Sequence, residues 1–302
     1  MAPPEAHRAL FYRGDLEYLD GIWNFVAPAL GAGEPVAIAV PLPKLALLRD
    51  RLGDELSRQI ELFDMAEVGR NPARIISSVQ AIVQRRPGRL HYVGEPIWPG
   101  RSAEEIREAT RHEALINMAW RAGEVQVLCP YDTTRLDDAV LTDAERTHPG
   151  LVRAGRDEPS PTYAGPVPPA ACEAPLPDPP SESLAVSFDA DDLGRVRQLV
   201  AKQATAAGLR RERVAELMLA VNELTTNTIK HAGRGGMLRV WSEPGELICQ
   251  VEDDGLIGDP LAGRTRGLAG VGGLGLWMVN QLCDLVEVRT GATGSTVRVH
   301  AR

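Results

Sequence analysis

The chain has 302 residues, of which 44% are hydrophobic and 25% charged, so it can bury the cores of two domains of ordinary size. Its formal net charge of -8 argues against a protein that binds the nucleic-acid backbone, because that binding depends on Lys and Arg. No stretch approaches the ~18 apolar residues of a membrane helix, and the four cysteines form no CxxC pair. We therefore expect a cytoplasmic protein that contacts neither nucleic acid nor membrane directly.

The first half of the chain alternates short apolar runs with helical patterns. Four apolar runs predict strands, at residues 35–40, 60–65, 90–94 and 125–130. Their continuous apolar character is typical of strands that are buried on both faces of a parallel sheet. Ser102 and Glu105 form a capping-box pattern, which predicts a helix running to about Arg121. The alternation predicts a doubly wound α/β domain over residues 1–154.

Prolines crowd the segment between Pro159 and Pro180, which has almost no large apolar side chains. Proline fixes φ and removes a backbone donor, so this segment cannot sustain a helix or a central strand. We predict an interdomain linker at residues 155–183. A long ordered surface loop is the alternative.

Residues 184–302 follow a different order of elements. A strand near 184–188 precedes a helix from about Asp191 to Ala206 and a longer helix from Arg211 to His231. Strands dominate the remainder, interrupted by one short helix that begins at Leu274. This order predicts an α+β sandwich with helices on one face of a mixed sheet.

The longer helix carries the first motif that points to chemistry, ELTTNTIKHA. Glu223 and Asn227 are four residues apart and lie on one helix face, with Lys230 and His231 one turn further on. Four polar groups thus share one stripe of the helix. The alternative is that this stripe is only the solvated face of an amphipathic helix.

The second motif is VEDDGLIGD, in which a strand ends at Asp253 and opens into a turn at Gly255. A carboxylate at such a place can accept a hydrogen bond from an exocyclic amine, and the glycine lets the backbone pass close to a flat ring. An ordinary Asp-Gly turn is the alternative.

The third motif is the run GVGGLGL at residues 270–276, directly before the short helix. Glycines ahead of a helix N-terminus leave backbone N–H groups free to face an anion such as phosphate. A flexible hinge is one alternative. A dinucleotide-binding fingerprint is the other, but it needs a preceding strand, whereas a loop rich in Arg and Gly precedes this run.

In this order the three motifs resemble the N box, G1 box and G2 box of the GHKL superfamily, and the resemblance covers the whole C-terminal domain. It implies a Bergerat-type fold that binds ATP, with Asn227 helping to bind Mg2+ and with Lys230 and His231 near the phosphates. Asp253 would bind the adenine amino group. The further ATP-binding positions that the resemblance implies are Gly255, Gly272, Gly273, Gly275, Leu276 and Thr296.

Glu223 bears on which branch of the superfamily the chain resembles. Histidine kinases usually carry a non-acid there, whereas the ATPases and the anti-sigma-factor serine kinases carry a carboxylate that acts as general base. The resemblance therefore implies a protein serine kinase or switch whose partner is a sigma factor or an anti-sigma-factor antagonist, and it implies a homodimer. A histidine kinase is a further alternative, although the one His-Glu pair, at His112, lies inside the α/β domain.

The G1 box departs from the family pattern DxGxG, because its second glycine is displaced by one residue to Gly258. The turn could be one residue longer, or nucleotide affinity could be weakened. The second outcome motivates another alternative, a GHKL module that binds partners without catalysis.

Several separated motifs of the N-terminal domain, among them HRALFYRGD, GEPIWPGRS, RHEALIN and CPYD, resemble the MEDS sensory domain of methanogens and methylotrophs. The resemblance implies a RecA- or KaiC-like core that senses a small organic ligand, and no Walker A pattern GxxxxGK[ST] occurs. Packing is the alternative role for each polar or aromatic residue in these motifs. The candidate pocket residues are His7, Tyr12, Trp98, His112, Cys129 and Tyr131.

Overall fold

The computed structural model describes residues 6–121, 123–233, 235–266 and 273–302. The chain divides into two compact units, Met1–Cys172 and Glu173–Arg302. Among the described helices, none combines the length and the apolar character needed to cross a membrane.

A seven-stranded sheet forms the centre of the first unit. Its strands are β1 (His7–Tyr12), β2 (Val36–Val40), β3 (Glu61–Asp64), β4 (Leu90–Gly94), β5 (Val125–Asp132), β6 (Gly150–Arg153) and β7 (Arg156–Pro159). They lie in the order β3-β2-β4-β5-β1-β6-β7. Every pairing is parallel except that between β6 and β7, which is antiparallel.

Helices cover both faces of this sheet. They are α1 (Gly14–Gly31), α2 (Leu42–Ser57), α3 (Met65–Val68), α4 (Ile75–Arg85), α5 (Ala103–Leu115), α6 (Asp138–Thr147) and α7 (Ala170–Glu173). Successive β1 side chains point to opposite faces. Leu10 and Tyr12 pack in a core with residues of α1 and α2, whereas Ala9 and Phe11 pack in a second core with α4 and α5. The predicted α/β architecture of the first unit is confirmed, and its likeness to a RecA core stays a prediction.

The capping box at the start of α5 forms as the sequence indicates. The Ser102 hydroxyl accepts from the Glu105 N–H at 3.3 Å, and the Glu105 carboxylate accepts from the Ser102 N–H at 3.1 Å. The α-helix ends at Leu115 and a 3-10 turn continues to Met118, so the helix is shorter than the predicted end at Arg121.

Hydrogen bonds hold each part of the proline-rich segment 155–183 to its own unit. Its first residues form β7, and the Arg111 guanidinium donates to the carbonyl of Cys172 within the first unit. Within the second unit, Arg289 donates to the carbonyl of Ala174 at 2.9 Å and Arg298 to that of Pro177 at 2.6 Å. Proline lacks a donor but keeps its carbonyl, so arginine side chains can fasten such a segment without secondary structure.

The second unit is a five-stranded sheet with three helices. Its strands are β8 (Leu184–Phe188), β9 (Gly236–Glu243), β10 (Glu246–Asp253), β11 (Leu285–Gly291) and β12 (Gly294–Ala301), and its helices are α8 (Leu193–Ala206), α9 (Arg211–Ala232) and α10 (Leu274–Leu282). The strand order is β11-β12-β10-β9-β8 and each pairing is antiparallel. The predicted α+β class holds, but the prediction of a mixed sheet is wrong, because neighbouring strands here are hairpins or antiparallel returns.

The three helices pack on one face of this sheet. Val200 of α8, Val221 of α9 and Val279 of α10 are buried in one apolar core with Leu238 and Val299 of the sheet. The period-2 alternation of β9, β10 and β12 directs apolar side chains to this face and polar ones to the other.

The opposite face of the sheet carries a buried charge cluster around His300. The two ring nitrogens of His300 lie 3.3 Å from carboxylate oxygens of Glu246 and Glu287. Burial lowers the pKa of His300, but the hydrogen bonds and charges of the two carboxylates outweigh that effect and raise it to about 9.

We predict that His300 makes the stability of the chain fall in mildly alkaline solution. Its pKa is about 9 when folded and 6.5 when unfolded, so its contribution is fully present below pH 6.5 and disappears as the pH rises through about 9. The contribution is on the order of 3 kcal/mol. Urea unfolding of wild type and His300→Gln, followed by circular dichroism, should show a difference that is large at pH 6 and small at pH 10.

The exposed His231→Gln serves as the control, and it should change the free energy of unfolding little at either pH. A wild-type minus His300→Gln difference that is equal at both pH values would show that His300 is not held protonated by its two carboxylates.

Candidate functional site

A cavity of about 300 Å³ lies in the second unit, between α9, the first turn of α10 and the ends of β10 and β12. Apolar side chains, among them Leu224, Val251 and Val297, form much of its wall. A concave, mainly apolar pocket with a few polar groups is typical of a small-molecule site. The predicted site residues on its wall are Asn227, His231, Asp253, Gly255, Gly273, Gly275 and Leu276.

Asp253 is held in place from two sides. One carboxylate oxygen accepts from the Thr228 hydroxyl at 2.6 Å, and the other accepts from the Gly255 N–H at 2.8 Å. Each oxygen has a second lone pair, so the carboxylate can still accept a hydrogen bond from a ligand in the cavity. A Cβ at position 255 would lie 2.9 Å from the carboxylate, which explains the glycine there.

The structure places Ser295, rather than Thr296, on the cavity wall. Ser295 is paired with Asp253 in the β10–β12 register, and its hydroxyl donates to the carbonyl of Gly255 at 2.7 Å. Because side chains alternate along a strand, Ser295 and Val297 face the cavity and Thr296 points to the other face of the sheet. Thr296, expected from the resemblance to be an ATP-binding position, therefore does not line this cavity, whereas its neighbour Ser295 does.

Glu223 and Asn227 meet the first turn of α10 at Gly275. A Cβ at this glycine would lie 2.9 Å from the Glu223 carboxylate and 2.9 Å from the Asn227 amide. Gly273, the N-cap, has φ 90° and no side chain that could cap the helix. Among the described residues no side chain caps α10, so the N–H groups of its first turn can face an anion beside the two α9 side chains.

The remaining predicted residues of this motif set lie in different surroundings. Lys230 and His231 are exposed near the end of α9, and of these two only His231 borders the cavity. Gly272 falls outside the described residues. The displaced glycine, Gly258, still borders the cavity, and the N–H of the preceding Ile257 donates to the Thr290 hydroxyl at 3.3 Å.

The candidate pocket residues of the first unit do not converge on one place. His7 and Cys129 meet in a buried cluster with Glu113 and His148, and the ring of Tyr131 stands edge-on to His148 at 5.5 Å between centroids. Sequence reasoning missed Glu113 and His148 as site residues. Their long separation along the chain offers no spacing signal.

Burial and neighbouring side chains together set the pKa values in this cluster. Burial, followed by the effect of His148, lowers the pKa of His7 to about 4. Burial also opposes ionisation of Glu113, but the neighbouring His148 and His7 outweigh it and hold the pKa of Glu113 well below its ordinary value. At neutral pH His7 is therefore neutral and Glu113 is a carboxylate.

The other three candidates lie elsewhere in the first unit. The Tyr12 hydroxyl donates to Glu95 at 3.3 Å on the opposite face of the sheet, and burial raises the pKa of that carboxyl to about 7. The Trp98 ring lies 4.0 Å beneath the Arg101 guanidinium. His112 is buried within α5, with 2% of its surface exposed.

Two family models match the chain. Residues 6–149 match the MEDS family, described as the MEthanogen/methylotroph, DcmR Sensory domain, and residues 186–301 match the Histidine kinase-like ATPase domain. No curated protein matches.

Several solved structures are similar to parts of the chain. The RsbU and RsbW domains of Rv1364c from Mycobacterium tuberculosis are 20% identical over 41% of this chain and 32% of that chain, with a TM-score of 0.31. The histidine kinase domain of the blue-light activated histidine kinase of Erythrobacter litoralis EL346 is 25% identical over 36% of this chain and 58% of that chain, with a TM-score of 0.25. The chain thus spans about a third of the first structure and just over half of the second. The family models carry the assignment: the chain contains a MEDS domain at residues 6–149 and a histidine kinase-like ATPase domain at residues 186–301.

Proposed function

We propose that the second unit binds ATP with Mg2+ and transfers the terminal phosphoryl group to a serine of a partner protein. The partner in this proposal is an anti-sigma-factor antagonist or a sigma factor, and the chain acts as a switch on it. The first unit, in the same proposal, senses a small organic ligand and controls the second. The match to an ATPase family and the carboxylate of Glu223 support the proposal.

The two ends of the cavity suit the two ends of a nucleotide. At one end the Asp253 carboxylate, positioned by Thr228, can accept from the exocyclic amine of adenine while the apolar wall covers the ring. At the other end the N-terminus of α10 faces the place where phosphates would lie. The oxygen of the Asn227 amide suits Mg2+, which when bound neutralises charge on the phosphates.

The single observation that carries the catalytic part is the meeting of Glu223 and Asn227 at Gly275. Glu223 lies one helical turn from the amide that suits the metal ion and beside the helix end that suits phosphate. A carboxylate there can take the proton of an incoming serine hydroxyl, or of water, during phosphoryl transfer. This geometry favours serine phosphorylation or hydrolysis.

The histidine-kinase alternative finds no support in the position of His112. That imidazole is buried within α5 of the first unit, so a phosphoryl donor could not reach its nitrogens without opening the helix from the sheet.

We predict that Asp253→Asn weakens ATP binding. The amide loses one acceptor and places a donor toward either the Gly255 N–H or the adenine amine, which leaves a buried donor unsatisfied. Calorimetric titration of the full chain with ATP and Mg2+ should show an affinity about 10- to 100-fold lower than wild type.

The neighbouring Asp254→Asn removes the same charge from an exposed side chain and should leave ATP affinity unchanged. Equal affinity of wild type and Asp253→Asn would show that the nucleotide does not use this carboxylate.

We predict that Glu223→Gln separates binding from catalysis. The glutamine keeps the shape of the side chain but cannot accept a proton, so ATP affinity should stay unchanged while ADP release falls about 100- to 10,000-fold. The control is Glu212→Gln in the first turn of the same helix, which should keep wild-type turnover.

Two outcomes of this comparison would count against the kinase proposal. ATP binding without measurable turnover in wild type would favour a partner-binding module that does not catalyse. Wild-type turnover in Glu223→Gln would show that another group serves as base.

A further inference from the structure

Four donor side chains from distant parts of the chain meet in the interior of the first unit. They are His7 at the start of β1, Glu113 on α5, Cys129 on β5 and His148 between α6 and β6. One ligand atom from each lies within 4.8 Å of the others, and all four residues are buried with 2% or less of their surface exposed. We call these residues the His–Glu–Cys cluster.

Hydrogen bonds outside the cluster orient both imidazoles. The two hydrogens of the Asn117 amide nitrogen are shared among three backbone carbonyls, so the amide oxygen faces His7 Nδ1, which lies 3.1 Å away and donates to it. His148 Nδ1 lies 2.7 Å from the carbonyl of Ala144 and donates to it. With each Nδ1 donating to an oxygen outside the cluster, each Nε2 is directed into the cluster, where it can offer a lone pair to a bound ion.

Both Nε2 atoms lie beside one carboxylate. Glu113 Oε2 lies 3.1 Å from His7 Nε2 and 3.4 Å from His148 Nε2. The Cys129 thiol lies 3.3 Å from the same oxygen and can donate to it, and the Tyr131 hydroxyl also hydrogen-bonds to Glu113. Among the described residues, His148 Nε2 and Glu113 Oε1 are buried without a hydrogen-bond partner of good geometry, an arrangement that a bound cation would relieve.

We propose that the His–Glu–Cys cluster binds one tetrahedrally coordinated divalent metal ion of the zinc class. Nitrogen, sulfur and carboxylate oxygen are the ligands that Zn2+ takes, and bond lengths of roughly 2.0–2.3 Å place neighbouring ligand atoms about 3.3–3.8 Å apart in a tetrahedron. Four of the six separations in the cluster are 3.1 to 3.4 Å, close to that range, and the other two, from His148 to His7 and to Cys129, lie within 4.8 Å.

Charge and orientation both suit such an ion. Binding removes the Cys129 proton to solvent, and the thiolate and the Glu113 carboxylate then balance the two positive charges of the metal, which leaves a neutral buried site. The donation from each Nδ1 to an oxygen outside the cluster is the arrangement that orients metal-binding histidines in proteins. The four side chains fill all four coordination positions of a tetrahedral ion, so no position is left open.

Cobalt as a stand-in for zinc gives the most direct test, because it reports both geometry and sulfur ligation by absorption. The full chain is unfolded in urea in the presence of a chelator, which removes any bound metal. It is then refolded without metal and titrated with Co2+. One Co2+ per chain is expected, with the intense visible bands of a tetrahedral ion and a thiolate-to-cobalt charge-transfer band in the near ultraviolet. Absence of Co2+ uptake by the folded chain, or a spectrum of octahedral type, would overturn the proposal.

Two substitutions with matched controls assign the ligands. Cys129→Ser should abolish the charge-transfer band, whereas Cys172→Ser, which alters another buried cysteine of the same unit, should keep it. Glu113→Gln should lower Co2+ affinity, whereas Glu108→Gln, on the same helix and equally buried, should not. A charge-transfer band that survives Cys129→Ser would overturn the assignment.

A measurement on wild type alone keeps the test decisive if a variant fails to fold. Mass spectrometry of the chain refolded with Zn2+ and then dialysed should find one zinc per chain, and the melting temperature should rise with zinc. Wild-type chain that holds no zinc and melts at the same temperature with and without it would refute the site.

Discussion

The position of the Asp253 carboxylate is the constraint on which the cavity of the second unit depends. It lies where the end of β10 meets α9, and Thr228 and Gly255 fix both of its oxygens. Close backbone contact makes this junction possible. A Cβ at Gly294 would lie 2.0 Å from the carbonyl oxygen of Asp253, and one at Gly236 would lie 2.9 Å from the methyl carbon of Thr228. Any larger residue at these glycines would push β12 or β9 away and move the carboxylate.

The other functional side chains lie on α9, the helix that also carries Thr228. Because Glu223 and Asn227 are four residues apart on α9, they lie on one face of the helix, and Asn227 and Thr228 both line the cavity. The first turn of α10 reaches them only because position 275 is glycine. The same elements thus set the distance between an end of the cavity that suits an amine and an end that suits an anion.

The sequence predicts much of this fold, because the signals are local. Apolar periodicity places α9 and α10, and the G1 and G2 motifs lie where a strand and a helix of the structure end and begin. Thr228 and Ser295 could not be assigned from spacing, since their roles depend on the pairing of α9 and β12 with the end of β10. The assignment of the nucleotide contacts themselves stays a prediction.

Long-range contacts explain what the sequence did not predict. The strand β7 consists of exposed polar residues at a sheet edge, so no hydrophobic pattern marks it. Arginines far along the chain donate to backbone carbonyls of the proline-rich segment, contacts that no local pattern marks. The His–Glu–Cys cluster likewise joins four distant positions, which only the parallel order of the strands brings together.

A crystal structure of the full chain with Mg2+ and a non-hydrolysable ATP analogue tests the central claim most directly. The adenine amino group is expected about 3 Å from the Asp253 carboxylate, with the phosphates at the N-terminus of α10 beside Asn227. A nucleotide bound outside the cavity, or one whose adenine faces away from Asp253, would contradict the claim.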